Sequence, residues 1–315
     1  MMLADLQYNI ERIAKGVNAS WAIYVKYLAT GEEIVLNADV QMDTMSVIKI
    51  PLLVTLFREW EAGNVNLAKR LALMTHHKRL GTGVLQVLDN GLEFNLHDAA
   101  VLMIIQSDNS ATDIIFDAVG GPDVVTEAMH KLGLDSIEAS GWAFDWFRAL
   151  SATMDPSYAD FSPQDLFIKG YPTLTPWEVA EARERFHFVG NHPFGLSSAR
   201  DMGRLLEMIW HSECASEESC AEIRRILRLQ QFKTRIPKYL FGATTAHKTG
   251  DFEPFIANDV GVIEPFGKSP VVVCLFSAHH RGIWANLEDA IARISEKVWE
   301  YGLSIDGVQS ARAEK

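Results

Sequence analysis

Apolar and polar residues alternate through Ser20–Tyr27 (SWAIYVKY), break at Thr30-Gly31-Glu32, and resume in Glu33–Leu36 (EIVL). This period of two around a glycine turn predicts a β-hairpin. Near the other end, 259–263 (DVGVI) and 270–277 (PVVVCLFS) predict two further strands, and 285–301 an amphipathic closing helix. Leu3, Leu6, Ile10 and Ile13 mark one face of an opening helix. Between the two ends the pattern is helical. Ile48, Leu52, Leu56 and Trp60 recur every fourth residue, Asn95 with Asp98 caps an apolar run reaching Gln106, Gly121-Pro122 opens a helix that Gly133 closes, and 200–210 is amphipathic.

The economical fold is therefore α+β, of the α/β sandwich type. An antiparallel sheet is built from both termini (1–45 and 240–315), and a mostly helical domain is inserted over 46–239. Within that insert, 142–194 is rich in aromatic residues and punctuated by Pro156, Pro163, Pro172 and Pro176. Such spacing predicts a folded loop or lid held by its own apolar contacts.

Composition narrows the function. A chain of 315 residues, 48% apolar and 22% charged, can bury a substantial core. Its formal charge of −12 argues against nucleic acid or an anionic membrane as partner, because either needs a basic face. A small-molecule substrate fits better. No run approaches a membrane span, and residues 1–15 lack a secretory pattern. Cys214, Cys220 and Cys274 are odd in number and outside zinc or redox spacings, so buried reduced thiols and a cytoplasmic location are expected. The pairs His76-His77 and His279-His280 present no chelating face, and phosphate-loop and dinucleotide motifs are absent, so no metal and no cofactor are expected.

Three short strings carry chemistry: Ser46-Val47-Ile48-Lys49, Ser107-Asp108-Asn109 and Lys248-Thr249-Gly250. Taken singly, the first two read as helix caps and the third as a strand end. The first begins a helix, so Ser46 and Lys49 lie one turn apart on one face. A serine hydroxyl becomes a nucleophile when a base takes its proton, and a lysine serves as that base when its pKa is depressed. Ser107-Asp108-Asn109 falls between two helices, and Gly250 at the end of the predicted strand 244–250 lets a ligand approach the backbone.

In this order the three strings resemble the SxxK, SDN and KTG signature of class A β-lactamases and penicillin-binding proteins. The resemblance runs from about Trp21 to about Tyr301 and implies a β-lactamase/transpeptidase-like fold. It also implies a Ser46 acyl-enzyme formed on a lactam, amide or ester. On this resemblance Lys49 takes or relays the proton, Ser107 passes one to the leaving nitrogen, and Asn109 orients the substrate amide. Lys248 and Thr249 bind a substrate carboxylate or tune Ser107, and the N–H groups of Ser46 and Asp251 form the oxyanion hole.

Two departures stand out. The glutamate that activates water in class A enzymes has no counterpart string after Ser107. Glu181 is the choice for that role from the aromatic segment, with Glu178 and Glu184 a turn to either side. Without such a base the acyl-enzyme persists. Asp251 also follows the KTG string where a small or hydroxylated residue is usual; it either repels a substrate acid or recognises a cationic or amide group. No arginine between Asp251 and Ile263 helps to bind an acid. A D,D-peptidase, an amidase or esterase of the same fold, and a non-hydrolysing acyl-binding sensor are the alternatives.

Overall fold

A computed structural model describes residues 2–190 and 192–313. In chain order its strands are β1 (Ser20–Tyr27), β2 (Glu33–Leu36), β3 (Gln41–Asp43), β4 (Arg70–Ala72), β5 (Glu93–Asn95), β6 (Glu138–Ala139), β7 (Gly195–Ser198), β8 (Ala243–Phe252), β9 (Ile256–Pro265) and β10 (Val271–Ala278). Its α-helices are α1 (Leu3–Lys15), α2 (Lys49–Glu61), α3 (Leu96–Ile105), α4 (Asn109–Val119), α5 (Pro122–Lys131), α6 (Ala143–Met154), α7 (Pro163–Lys169), α8 (Pro176–Val189), α9 (Ala199–His211), α10 (Glu217–Arg228) and α11 (Trp284–Ala313). Two compact units divide the chain: Met1–Val47 with Leu132–Ile137 and Leu196–Lys315, and Ile48–Lys131 with Glu138–Gly195.

The first unit is built on an antiparallel sheet in the order β2-β1-β10-β9-β8, two strands from the start of the chain and three from its end. Ile23 pairs with Leu275, Val273 with Gly261, and Lys248 with Val260. Successive side chains of a strand point to opposite faces. Trp21, Ile23 and Val25 of β1 and Val271, Val273 and Leu275 of β10 pack with Leu6 and Ile10 of α1 and with Leu287, Ile291, Ile294 and Val298 of α11. The alternate residues face α9, where Gly203 lies so close to the Tyr24 ring that a Cβ would collide with it. With both faces covered, β10 is buried at every position, which explains why VVVCLF reads as an unbroken apolar run. β3 pairs with β7, and Asn258 Nδ2 of β9 donates to the Asp43 carbonyl at 2.9 Å, fixing the chain just before Met45.

In the second unit α2 is the central helix. Every residue from Lys49 to Phe57 is buried, and α3, α4 and α5 pack around it. Pro51 is accommodated because it falls in the first turn, where its missing N–H has no intrahelical partner to lose. The predicted capping box of Asn95 and Asp98 opens α3. The aromatic segment departs from the expected folded loop: most of it is helix, in α6, α7 and α8. Pro163 and Pro176 sit in the first turns of α7 and α8, where proline starts a helix instead of breaking one. Phe144, Tyr158 and Leu166 form its small core, and Trp146 meets the Phe186 ring edge-on at 5.2 Å, joining α6 to α8.

Candidate active site

Lys49, at the start of α2, is fully buried. Its Nζ lies 2.7 Å from the Ser107 carbonyl, 3.1 Å from Ser107 Oγ and 2.9 Å from Asn109 Oδ1. The Asn109 amide is oriented because its Nδ2 donates to the Leu80 carbonyl at 3.0 Å, which turns Oδ1 towards the lysine. Two of the three acceptors are fixed, whereas the Ser107 hydroxyl can either accept or donate. The cluster is thus hydrogen-bonded whether Lys49 is an ammonium or an amine receiving the Ser107 proton.

Ser107 adopts a left-handed backbone conformation with φ of 52°. That conformation is disfavoured for a residue with a Cβ and is held here by surrounding bonds. Thr82 Oγ1 donates to the Ser107 carbonyl at 2.8 Å, and Asn109 N donates to the Thr82 carbonyl at 3.0 Å. Asp108 takes the capping role that the string suggested when read alone: Oδ1 accepts from Ala111 N at 3.0 Å and Oδ2 from Leu85 N at 2.8 Å. The same turn therefore caps α4 with its middle residue and presents its outer two to Lys49. A Cβ on Gly81 would stand 2.7 Å from Asn109 Nδ2 and 2.5 Å from Phe147 Cζ, so the amide and this aromatic ring close over the glycine.

Further support comes from Asp113 of α4, which sequence reasoning missed. Its buried carboxylate pairs with Arg79 Nε at 2.5 Å and accepts from Ala143 N at 2.7 Å and Phe144 N at 3.1 Å, tying the start of α6 to α4. Burial pushes the Asp113 carboxyl up, and Arg79 and the two amides pull it back. The chosen Glu181 lies on the exposed side of α8. Glu178 is held in a capping box by Thr175, whose N–H and hydroxyl keep its carboxyl below the usual range.

In the first unit, Ser46 sits half-buried in a tight 3₁₀ turn, Met45–Ile48, that leads into α2. Ser46 does not cap α2; the cap position is Ile48, with no side-chain bond. Met45 has φ of 46°, a second left-handed non-glycine residue, held by Met45 N donating to Asp43 Oδ1 at 2.9 Å. Gly250 of β8 packs directly on this turn. A Cβ there would stand 3.1 Å from Ser46 N and would collide with the Thr44 carbonyl. β8 is the edge strand of its sheet, so alternate backbone N–H groups along it are not used in strand pairing.

Lys248 is fully buried, and its Nζ donates to the Thr249 carbonyl at 2.7 Å. Burial lowers its pKa to about 7; Arg235 acts in the same direction, and Asp251 and Asp259 oppose it. Thr249 Oγ1 is buried without a hydrogen-bond partner among the described residues. Arg235, also missed from sequence, is 3% exposed and bonded to the Asp251 carboxylate. On the adjoining strand Asp259 pairs with His247 Nδ1 at 2.8 Å and accepts from Ile236 N at 3.0 Å.

Known proteins share this fold. The model of the β-lactamase enzyme family matches residues 5–302. Over 312 residues the chain is 20% identical to β-lactamase VEB-1 of Pseudomonas aeruginosa, covering 95% of this chain and 91% of that one. Among solved structures, a β-lactamase from Sphaerobacter thermophilus superposes with a TM-score of 0.75 at 24% identity, over 96% of this chain and 98% of that one. PBP-A superposes with a TM-score of 0.72 at 22% identity, over 95% and 96%. No helix among the described residues is long and apolar enough to cross a membrane. With the family's three strings in its order, its fold, and a match spanning nearly the whole sequence, the chain belongs to the β-lactamase enzyme family of serine hydrolases.

Proposed function

We propose that Ser46 is the nucleophile and Lys49 its proton acceptor in a two-step hydrolysis of a lactam, or of a related amide or ester. Ser46 Oγ bonds to the acyl carbonyl carbon as its proton passes to Lys49. The oxyanion is met by N–H groups of Ser46 and Asp251, and collapse breaks the C–N bond of a lactam or amide, or the C–O bond of an ester, as Ser107 gives its proton to the leaving atom and takes one back from Lys49. Water then attacks the ester and restores Ser46. The observation that carries this reading is the buried Lys49 amine bonded to both Ser107 and Asn109, three residues along the chain from a serine that does not cap α2. Asn109 orients the substrate amide. Lys248, Thr249, Gly250 and Asp251 form the substrate-binding strand, and the unpaired Thr249 hydroxyl gains a partner when a substrate acid or amide arrives.

The water-activating base is assigned to Glu181, with Lys49 as the second choice because its amine is hydrogen-bonded to the Ser107 hydroxyl. A peptidase, an esterase and a sensor are less favoured, since the family that the chain belongs to is that of β-lactamases. A cytoplasmic location is part of the proposal, supported by three buried cysteines, each a reduced thiol.

Intact-mass measurement after incubation with a fluorogenic cephalosporin and a panel of p-nitrophenyl esters tests the reading. Wild type should gain one acyl group and release it, and Ser46→Ala should gain none while staying folded. Undiminished labelling of Ser46→Ala would overturn the nucleophile, and a single permanent adduct would make the chain a sensor. Cell fractionation checks the location.

A further inference from the structure

The charges around the end of β8 have an unusual balance. Each nitrogen of the Arg235 guanidinium faces an oxygen of its own unit. Nη1 donates to the Asn258 carbonyl at 2.8 Å, Nη2 bonds to the Asp251 carboxylate, and Nε, which makes no hydrogen bond among the described residues, lies 3.3 Å from the Glu288 carboxylate. The Trp284 ring covers the guanidinium at 5.3 Å. One cation is thus matched by two carboxylates. Asp259, which also acts on Arg235 and Lys248, adds a third carboxylate, so these five groups together carry one negative charge with Lys248 protonated and two with it neutral. Asp251 is the exposed member, its side chain 45% open, whereas Arg235 and Lys248 are buried behind it. A molecule reaching β8 from solvent meets the carboxylate before either cation.

We propose that Asp251 is a charge filter on the substrate site, selecting acyl donors that lack a carboxylate beside the reacting carbonyl, neutral or cationic esters and lactams, over those that carry one. The inference rests on the reading that β8 binds the substrate of Ser46. A substrate carboxylate at β8 must displace Asp251 from Arg235 or lie against it as a like charge, and either raises the free energy of the bound state. A neutral or cationic donor meets no such barrier.

Benzylpenicillin and its methyl ester differ in one charge and serve as the probe pair, with kcat/KM, or the acylation rate by mass spectrometry, as the readout. Asp251→Asn keeps the shape and removes the charge. It should raise the value for benzylpenicillin relative to that for the methyl ester about tenfold, corresponding to about 1.4 kcal/mol. The difference should shrink in high salt, because Asp251 is partly solvated. Arg235→Gln, which leaves Asp251 uncompensated, should move this ratio the other way. A fall for benzylpenicillin in Asp251→Asn would show instead that Asp251 holds Arg235 ready for an acid. Equal changes for both substrates would reduce Asp251 to a structural role, and either result overturns the proposal. Ser46→Ala separates the two readings: if it still turns over both probes, the nucleophile assignment fails whatever the charge ratio does.

Discussion

Ser107 presents both its hydroxyl, at 3.1 Å, and its carbonyl, at 2.7 Å, to the same Lys49 nitrogen. The carbonyl holds the amine in place, and the hydroxyl is the group that can exchange a proton with it. Lys49→Met should therefore slow acylation by roughly 10²- to 10⁴-fold, the usual worth of a general base. Lys49→Arg should not restore the rate, because a guanidinium keeps its protons. Rapid-mixing acylation measurements decide it; a rate within about threefold of wild type for Lys49→Met would remove the lysine from the proton path.

Lys248 makes a prediction about stability and pH. Its folded-state pKa of about 7 lies below the unfolded value of about 10.4. Below about pH 7 both states bind the proton, and the folded protein bears the full cost of a buried charge. Between about 7 and 10.4 only the unfolded chain holds it, so stability rises with pH. Lys248→Met should be more stable than wild type by a few kcal/mol at pH 6, because each tenfold loss of proton affinity on folding costs about 1.4 kcal/mol. The advantage should fade by about pH 10. Urea unfolding at both pH values reads it, and a gap that is constant or widens with pH would contradict the assignment.

Asp113 ties α4 to α6 through a buried ion pair and two backbone amides. Asp113→Asn leaves Arg79 without its carboxylate and turns one amide donor against another. The expected loss is about 3–5 kcal/mol, the range for breaking a buried pair by removing one partner. Replacing both members, Arg79→Met with Asp113→Leu, should recover part of it. Thermal unfolding compares the three; an Asp113→Asn loss below about 1 kcal/mol would make the tie dispensable.

Release of the acyl group is tested at α8. If Glu181 activates the water, Glu181→Gln should trap an adduct visible by mass while acylation is nearly unchanged. Glu178→Gln should do less, since that carboxylate is engaged with Thr175 and its carboxyl is held low. If all three glutamine variants, including Glu184→Gln, turn over as wild type does, Lys49 becomes the base of both half-reactions.

Local patterns were readable where one interaction dominates: alternation predicted the β1–β2 hairpin, and Asn95 with Asp98 predicted a cap that forms. The Ser107-Asp108-Asn109 string supported a capping and a chemical reading, and its residues divide between them. The prolines misled because Pro163 and Pro176 carry the same letter whether they end a helix or start one; only the capping of the following turn by Ser162 and Thr175 decides. Arg235 was invisible for a different reason. It reaches Asp251 from 16 residues upstream, along a path set by the 3₁₀ turn Ile236–Tyr239 and by α11, and no periodicity reports such a path. Asp113 and Arg79, 34 residues apart, are the same case.

Gly250 lies against the Thr44–Ser46 turn with no side chain between them. Backbone of β8 thus lies directly on the turn that carries Ser46, whereas the charges next to it at Asp251 and Arg235 belong to side chains. Substitution at those two positions can retune what is admitted without shifting Ser46, whereas a side chain at Gly250 would collide with the Thr44 carbonyl and shift the turn. In such a scaffold selectivity can drift over generations while the reaction stays in place, and the position that tolerates no drift is the residue with no side chain at all.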